Sequence, residues 1–483
     1  MDAIQSIKAA ASHLTPEIVL LIGGSLVMSA SVFQRKRERE DVHSDRSMYA
    51  AASLICLLLA MLTSFWRGVP QLAPDAFGLF RFDATALASE RLTFLGGLIL
   101  ILMSWSTAPK GRMAEYYGAL LIILAAIPIV GASNDLVSLF LGLELVSIPT
   151  YVLLGIVKSD NTGLEAALKY FMLSAFASCF FLLGISYLYG FCGSTNLMVI
   201  QAGFGEGKRL MALGLLLAMC GLAFRITAVP FHFYAPDVFD GTSVTLAGAM
   251  SYLPKVAGFV ALIRLIGAGN LSQGASSVIV PVLLVCAALT MCIGNVLAVA
   301  QNNLRRMMAY SSVAHTGYLL LALVALIRQD ANANVLFSYL AAYAAMTLGM
   351  FACLGEIEAA GGKSHLIGDL AGMFYRRPAA SIGLTVALIS LIGLPLTAGF
   401  WAKFMVFVGV VADRRVDSIS LIMGVLMAFN AVIAAGYYWR ILSTLYSKSV
   451  SDVPLRVFRP SLFVAYTICT VLTILWFFVP ASM

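Results

Sequence analysis

Apolar stretches of about 20 residues recur along almost the whole chain, and they constrain its fold more than any other feature. Each stretch is long enough to cross a bilayer as a helix, and in lipid the backbone groups of a lone segment are satisfied only by helical hydrogen bonds. Charged residues make up 11% of the sequence, whereas soluble domains carry about 25%. The sequence therefore predicts an all-α polytopic membrane protein.

The apolar stretches predict about fourteen transmembrane helices. They lie near residues 16–33, 48–65, 84–105, 114–131, 136–157, 164–191, 209–231, 242–267, 277–301, 308–327, 334–354, 379–412, 418–440 and 459–479. Lys and Arg residues are concentrated in one alternate set of loops, as in the run from Arg35 to Arg39 and at Arg305 and Arg306. Because basic loops are retained on the cytoplasmic side, we expect a protein of the cell inner (plasma) membrane with both termini on the non-cytoplasmic side.

Two of the predicted spans contain helix breakers. Pro230 follows Arg225 in one span, and Pro395 lies between Gly393 and Gly399 in the other. Paired interruptions in the two halves of a membrane protein indicate the transport path. Their spacing predicts two inverted five-helix repeats between an N-terminal three-helix segment and a C-terminal helix. The predicted divisions are 1–113, 114–267, 277–440 and 441–483.

Charged side chains inside the predicted spans are the candidate functional residues. Glu144 lies in the middle of an apolar stretch, where a carboxylate costs roughly 2.5–3.5 kcal/mol on insertion scales. Lys169, Arg225, Lys255 and Lys403 also have apolar neighbours on both sides, and such residues usually mark an ion path. A nearby carboxylate and lysine stabilise each other's charge. Lys169, in the next span, is therefore the predicted partner of Glu144.

Other polar residues leave two interpretations open. His315, which titrates near neutral pH, suits a relay between Lys255 and Lys403, but a lone histidine among Ser and Thr is also a common packing residue. Asp237 and Asp240 suit either proton entry or capping of the next helix. The buried charges as a set could instead be static ion pairs that fix helix packing.

The thiols and imidazoles of the sequence are scattered. None of the eight cysteines forms a C-x-x-C pair, and no G-x-G-x-x-G opens a helix after a strand. Metal and iron–sulfur sites need clustered thiolates or imidazoles. We therefore expect no cofactor and no metal in this chain, and any redox chemistry to take place in a partner subunit.

Several motifs in this order resemble a known family. They are Leu143-Glu144-Leu-Val-Ser-Ile-Pro149, Glu165-Ala-Ala-Leu-Lys169-Tyr-Phe, Ala228-Val-Pro-Phe-His232, Pro254-Lys255-Val-Ala-Gly-Phe and Gly393-Leu-Pro-Leu-Thr-Ala-Gly-Phe-Trp-Ala-Lys403. The chain is similar to subunit N among the antiporter-like membrane subunits of respiratory NADH–quinone oxidoreductase (complex I), over nearly its whole length.

The resemblance implies fourteen helices, two inverted repeats and a proton channel that uses Glu144, Lys169, Lys255 and Lys403. It also implies partners, namely other membrane subunits with antiporter-like neighbours, and subunits that hold NAD, FMN, iron–sulfur clusters and quinone. Where the family usually has a lysine, this chain has Arg225. Arginine stays protonated in proteins, so Arg225 is expected to act as a counter-charge and not as a proton carrier.

Three alternatives remain open from the sequence. Subunits of multisubunit cation/proton antiporters and of membrane-bound hydrogenases share the same scaffold. A passive structural subunit, in which buried charges hold helices together, is the third.

Overall fold

A computed structural model describes most of the chain. The described residues are 12–34, 42–67, 78–109, 111–157, 161–203, 209–267, 273–328, 333–359, 364–411, 418–448 and 458–478. Within these ranges the regular structure is helical, and β pairing is limited to isolated bridges such as that between Phe80 and Ser133.

The helices are numbered in chain order. They are α1 (Thr15–Gln34), α2 (Val42–Arg67), α3 (Ala84–Thr107), α4 (Met113–Ala132), α5 (Leu136–Val157), α6 (Asn161–Cys192), α7 (Leu197–Gly203), α8 (Arg209–Arg225), α9 (Ala235–Asp240), α10 (Val244–Ile266), α11 (Gln273–Val299), α12 (Leu304–Ile327), α13 (Ala333–Ala359), α14 (Met373–Arg376), α15 (Pro378–Ile392), α16 (Ala398–Val411), α17 (Ser418–Leu445) and α18 (Pro460–Phe478).

The prediction of an all-α polytopic membrane protein is confirmed. Eleven of the described helices are long and apolar enough to cross a membrane, and four shorter apolar helices accompany them. The two spans predicted to contain helix breakers are interrupted in the structure: the helix in 209–231 ends at Arg225, before Pro230, and 379–412 consists of α15 and α16 on either side of Pro395. Both chain termini, whose side of the membrane was predicted, lie outside the described residues.

The chain forms two compact units. The first comprises Met1–Ile226 and Leu253–Val278, and the second comprises Thr227–Tyr252 and Ile279–Met483. The predicted boundaries of the five-helix repeats, 114–267 and 277–440, stay a prediction.

In the first unit, α4 is largely buried, and it packs against α1, α3 and α5. The helices α6 and α8 pack along each other. By contrast, α2 and α6 leave most of their apolar side chains uncovered, including Phe65 and Phe176. Such uncovered apolar faces suit lipid or the helices of another membrane subunit.

Arg264, a buried arginine near the end of α10, forms hydrogen bonds that connect several segments of the first unit. Arg264 donates two hydrogen bonds to the carboxylate of Asp83, at 2.7 and 2.8 Å, and further ones to the carbonyl oxygens of Gly131 and Arg81. Asp83 is also the N-cap of α3, where it accepts from the N–H groups of Thr85 and Ala86. The Asp83 carboxylate therefore connects α10 to α3. The hydrogen bond from Arg264 to the Gly131 carbonyl oxygen also connects α10 to the end of α4.

In the second unit, α12 and α13 form the centre, and nearly all of their residues are buried. Asp237 on α9 forms an ion pair of 2.7 Å with Arg306, and Asp240 accepts a 2.8 Å hydrogen bond from Asn303. The two aspartates, for which helix capping and proton entry were the open interpretations, thus attach α9 to the start of α12.

Candidate functional site

Glu144 and Arg225 form an ion pair inside the first unit. Arg225 Nη2 lies 2.7 Å from Glu144 Oε1, and the same oxygen accepts a 2.6 Å hydrogen bond from the hydroxyl of Ser178. The Glu144 side chain is 20% exposed and that of Arg225 is 9% exposed. Helices α5, α6 and α8 contribute Glu144, Ser178 and Arg225, so this hydrogen-bonded group forms where the three helices meet.

Arg225 is held by more than the carboxylate. Its Nη1 donates to the carbonyl oxygen of Leu143 at 3.0 Å and to the hydroxyl of Ser147, one turn after Glu144 on α5. The arginine is the last residue of α8, where the partial negative charge of a helix C-terminus favours a cation. A buried charge that lost its partner would be strongly destabilising. The surrounding acceptors keep the guanidinium stable when the carboxylate changes state.

Two helix breaks accompany the charged residues, as predicted. The first separates α8 from α9 and contains Pro230, and the second separates α15 from α16 and contains Pro395. Each break holds a non-glycine residue in the left-handed region, Thr227 with φ 59° and Leu396 with φ 72°. Such residues cost on the order of 1–3 kcal/mol and are found mainly at functional sites.

Lys169 lies elsewhere on α6 than the prediction required. Its Nζ is 2.7 Å from Glu165 Oε1, one turn earlier on the same helix, and the lysine side chain is 42% exposed. Ser178, which reaches Glu144, follows nine residues later, about 13 Å along the helix axis. The predicted partner of Glu144 was Lys169, but in this structure Arg225 takes that place, because α6 presents Ser178 at the level of the carboxylate.

Lys255 is buried in α10 with only 2% of its surface exposed. Gly258, three residues later on the same face of the helix, packs against the end of α8. A Cβ at Gly258 would lie 2.4 Å from Ile226 Cγ2 and 3.5 Å from Arg225 Cβ. The absence of a side chain at this position lets the lysine-bearing helix approach Arg225 closely.

His315 lies in the second unit within a group of hydroxyl-bearing side chains. Its Nδ1 is 2.9 Å from the hydroxyl of Tyr339, and the rings of Tyr318 and Tyr343 lie 5.7 and 5.3 Å from the imidazole. Tyr343 in turn donates a 2.9 Å hydrogen bond to Ser312. A tyrosine hydroxyl thus satisfies one ring nitrogen of His315, which both a relay and a packing histidine need when buried.

The side chain of Lys403 forms hydrogen bonds at the second helix break. Its Nζ donates to the carbonyl oxygens of Leu391 and Ile392, at 2.8 and 2.9 Å. These oxygens lack helical partners because α15 ends at Gly393, which has φ 88°. The ammonium also lies 5.1 Å from the ring centroid of Tyr318, a cation–π distance. Tyr318 therefore contacts both Lys403 and His315 through its ring.

Sequence reasoning missed several polar residues of the site. Ser147 and Tyr318 each follow a predicted residue by three positions, so helical spacing from Glu144 and His315 would have found them. Ser178 and Tyr339 come from other helices and carry no such signal. Asn295 and Asn430, buried in the second unit and joined by a 3.0 Å hydrogen bond, were also missed.

The described ranges contain no group of three or more His, Cys, Asp or Glu side chains placed to hold a metal ion. The charged residues of the site are instead spread through the helices, with Arg225 and Lys403 at helix breaks and Lys255 in a continuous helix. Broken helices with charges beside them, on a membrane scaffold, define an antiporter-like ion-translocating protein.

Comparison with known proteins identifies the family. Residues 133–433 match the transmembrane family of NADH:quinone oxidoreductase and Mrp antiporters, and the chain belongs to this family. It is 34% identical over 442 residues to NADH-quinone oxidoreductase subunit N 1 of Solibacter usitatus, covering 90% of this chain and 87% of the relative.

Solved structures agree with this assignment. A chain of respiratory complex I from Thermus thermophilus, solved with bound aureothin, superposes with a TM-score of 0.78 at 28% identity, covering 95% of this chain and 97% of that one. A chain of the Mrp complex from a Dietzia species gives a TM-score of 0.82 at 20% identity, covering 99% and 95%. The second likeness shows the shared fold alone.

Proposed function

We propose that the protein is the proton-translocating membrane subunit N of an NADH–quinone oxidoreductase. The observation that carries the proposal is the Glu144–Arg225 ion pair, buried in a membrane helix bundle at a helix break. The curated relatives of this chain are named NADH-quinone oxidoreductase subunit N, which supports this enzyme as the setting. As a subunit of such an enzyme, the chain couples electron transfer in its partners to proton transport.

In the first unit, the proton would reside on Glu144. Arginine does not release its proton at physiological pH, so Arg225 contributes a permanent positive charge. When Glu144 binds a proton, its attraction to Arg225 is lost, and the guanidinium keeps the oxygens of Leu143 and Ser147 as partners. When Glu144 releases the proton, the ion pair forms again. Arg225 therefore stays charged in both states and does not itself carry the proton.

Lys255 is the next proton site of the first unit. It lies on the helix that Gly258 brings against Arg225, so its charge is repelled by the guanidinium whenever Glu144 is neutral. Lys169 occupies a separate, partly exposed position with Glu165. In our proposal it joins the path by exchanging Glu165 for another acceptor.

In the second unit, the path consists of His315 and Lys403 with Tyr318 between them. The imidazole exchanges protons with the Tyr339 hydroxyl, and Lys403 holds a proton against the free carbonyl oxygens at the break. The alternation of titratable groups and hydroxyls is what proton hopping requires. The two inverted five-helix repeats belong to the same proposal.

This assignment implies which partner subunits the protein has and which membrane it occupies. NADH, FMN, the iron–sulfur clusters and quinone would be bound by other subunits of the complex. The uncovered apolar helices α2 and α6 would face lipid or antiporter-like neighbours. We place the protein in the cell inner (plasma) membrane with its basic loops on the cytoplasmic side.

A cation/proton antiporter subunit is the second candidate, because the fold matches the Mrp chain with a TM-score of 0.82. Purification in mild detergent followed by identification of the bound subunits separates the two. Flavin and iron–sulfur subunits with NADH–quinone activity support the oxidoreductase, whereas small membrane subunits alone support the antiporter.

Proton uptake by vesicles that contain the purified complex tests the mechanism. Glu144→Gln should leave assembly and NADH binding intact but reduce NADH-driven proton uptake strongly. Loss of assembly in this variant would support a structural subunit instead. Unchanged proton uptake in the assembled complex would exclude Glu144 from the path.

A further inference from the structure

A second group of buried charges lies in the N-terminal helices, outside residues 133–433 that match the family. Arg67, the last residue of α2, lies 2.5 Å from Glu90 Oε2 on α3, and their side chains are 8% and 2% exposed. Arg67 also donates a hydrogen bond to the carbonyl oxygen of His13. The arginine therefore joins the end of α2 to α3 and to the residues that precede α1.

Glu17 supplies a second carboxyl group to the same place. It is the third residue of α1, is 3% exposed, and lies close enough to Glu90 and Arg67 for their charges to act on it. Glu17 Oε2 and Glu90 Oε1 are buried and have no hydrogen-bond partner among the described residues. Each carboxyl group thus has an oxygen that is free to bind a proton.

The charge balance of this group is uneven. Two carboxylates face one guanidinium, so full ionisation would leave a net negative charge out of contact with water. Buried like charges at close range do not both ionise, because one group keeps a proton to avoid the repulsion and the loss of hydration. A second cation beside the two carboxyl groups would remove this constraint.

The titratable neighbours do not supply one. Burial, together with the charge of Arg67, lowers the pKa of His13, which keeps its ring neutral while it stacks on Phe82. Arg91, next to Glu90, has an exposed side chain, and nearby Arg81 and Arg264 both form ion pairs with Asp83.

The remaining packed helix, α4, carries its titratable side chains at the other end. Its titratable residues Glu115, Tyr116 and Tyr117 lie in its first turns. Gly118 contacts Gly24 and Met28 of α1, which places Glu115 about 20 Å along the axis from Glu17. Arg67 is therefore the one cation that we find paired to these carboxyl groups in the described part of the chain.

We propose that Glu17 and Glu90 form a proton-binding site in which the two carboxyl groups share one proton and Arg67 compensates the remaining negative charge. The ligand of the site is a proton exchanged with water at one membrane face. Glu17 lies in the first turn of α1, and Glu90 lies about 9 Å from the start of α3. Both are within two helical turns of the helix ends, so exchange needs no path across the bilayer.

This site shares no residue with the Glu144 site or the Lys403 site, and a different measurement tests it. Infrared spectroscopy of the purified complex at neutral pH detects the carbonyl stretch of a protonated, buried carboxyl group. We expect the wild-type complex to show such a band that disappears in Glu17→Gln and equally in Glu90→Gln. In either variant the remaining carboxylate has Arg67 to itself and ionises.

Other outcomes overturn the proposal. If the band disappears in only one of the two variants, that residue is protonated independently and no proton is shared. If neither variant changes the spectrum, the group is a fully ionised cluster. Glu115→Gln, a partly buried glutamate of the same segment, is the matched control and should leave the band unchanged.

A second variant covers the case in which a glutamine substitution prevents assembly. Glu17→Asp keeps the carboxyl group but moves it, so the band should shift in frequency. An unshifted band in the assembled Glu17→Asp complex would assign the signal to another residue and overturn the proposal. NADH-driven proton uptake, measured on the same preparations, reports separately on the Glu144 path.

Discussion

Arg225 and Glu144 are 81 positions apart in the sequence, and in the folded protein Arg225 Nη2 lies 2.7 Å from Glu144 Oε1. The pair combines a group that titrates with one that does not. Under the proposed function, the fixed positive charge of Arg225 beside Glu144 is required, whereas a proton carried by Arg225 is not.

Substitutions that keep or remove the positive charge at Arg225 test whether this charge is required. We expect Arg225→Lys to keep most NADH-driven proton uptake, because the charge beside Glu144 remains. Arg225→Ala should reduce uptake strongly, because no positive charge then faces the carboxylate of Glu144. Ser178→Ala, which removes one hydrogen bond to Glu144 but no charge, is the control and should have a smaller effect. Normal uptake in Arg225→Ala would contradict the counter-charge role.

Lys403 offers a test in the second unit. Lys403→Met removes the ammonium that caps the carbonyl oxygens of Leu391 and Ile392, so proton uptake should fall strongly while assembly persists. Tyr318→Phe keeps the ring beside the ammonium and should leave Lys403 in place, since the cation–π contact needs only the ring. Phe404→Leu, at the exposed neighbouring position, serves as the control. Full uptake in Lys403→Met would remove this lysine from the path.

Gly258 tests the packing that brings α10 to Arg225. Gly258→Val adds a side chain whose Cβ alone would meet Ile226 at 2.4 Å, and overpacking of this kind costs about 1–3 kcal/mol. We expect a lower thermal stability of the purified complex together with reduced proton uptake. Gly155→Val, on α5 with nothing near its Cβ, is the matched control. Equal effects of the two substitutions would show that the close approach at Gly258 is unimportant.

The sequence predicts the helices well and the pairing of the charges less well. Apolar stretches of fixed length determine where membrane helices form, so intervals such as 136–157 coincide with the helix, and prolines located both breaks. The partner of Glu144 depends on how α5, α6 and α8 rotate against one another. Periodicity along one helix does not encode this rotation. The sequence therefore predicts Lys169 as the partner of Glu144 and Arg225 as a counter-charge, whereas the structure pairs Glu144 with Arg225. The Glu17–Arg67–Glu90 group likewise needs three helices to be seen.

Asp83 gives a prediction about pH and stability. Burial alone would raise the pKa of its carboxyl group, but Arg264, together with the Ala86 N–H and Arg81, outweighs burial and lowers the pKa from the ordinary value of 3.8. A lowered pKa in the folded state means that Asp83 stabilises the fold above the ordinary value, and that this stabilisation is lost as the pH falls through the folded-state pKa. Acid should therefore weaken the junction of α3 and α10.

Thermal unfolding of the purified complex between neutral and acidic pH measures this contribution. Asp83→Asn leaves the buried Arg264 without its carboxylate and should destabilise the protein at neutral pH by about 3–5 kcal/mol. The variant should also lose the part of the acid dependence that Asp83 contributes, so its stability should differ least from that of the wild type at low pH. Arg81→Gln removes a partly exposed partner of the same carboxylate and should cost about 1 kcal/mol or less. An Asp83→Asn protein as stable as the wild type at neutral pH would show that the Arg264 ion pair does not hold α10 in place.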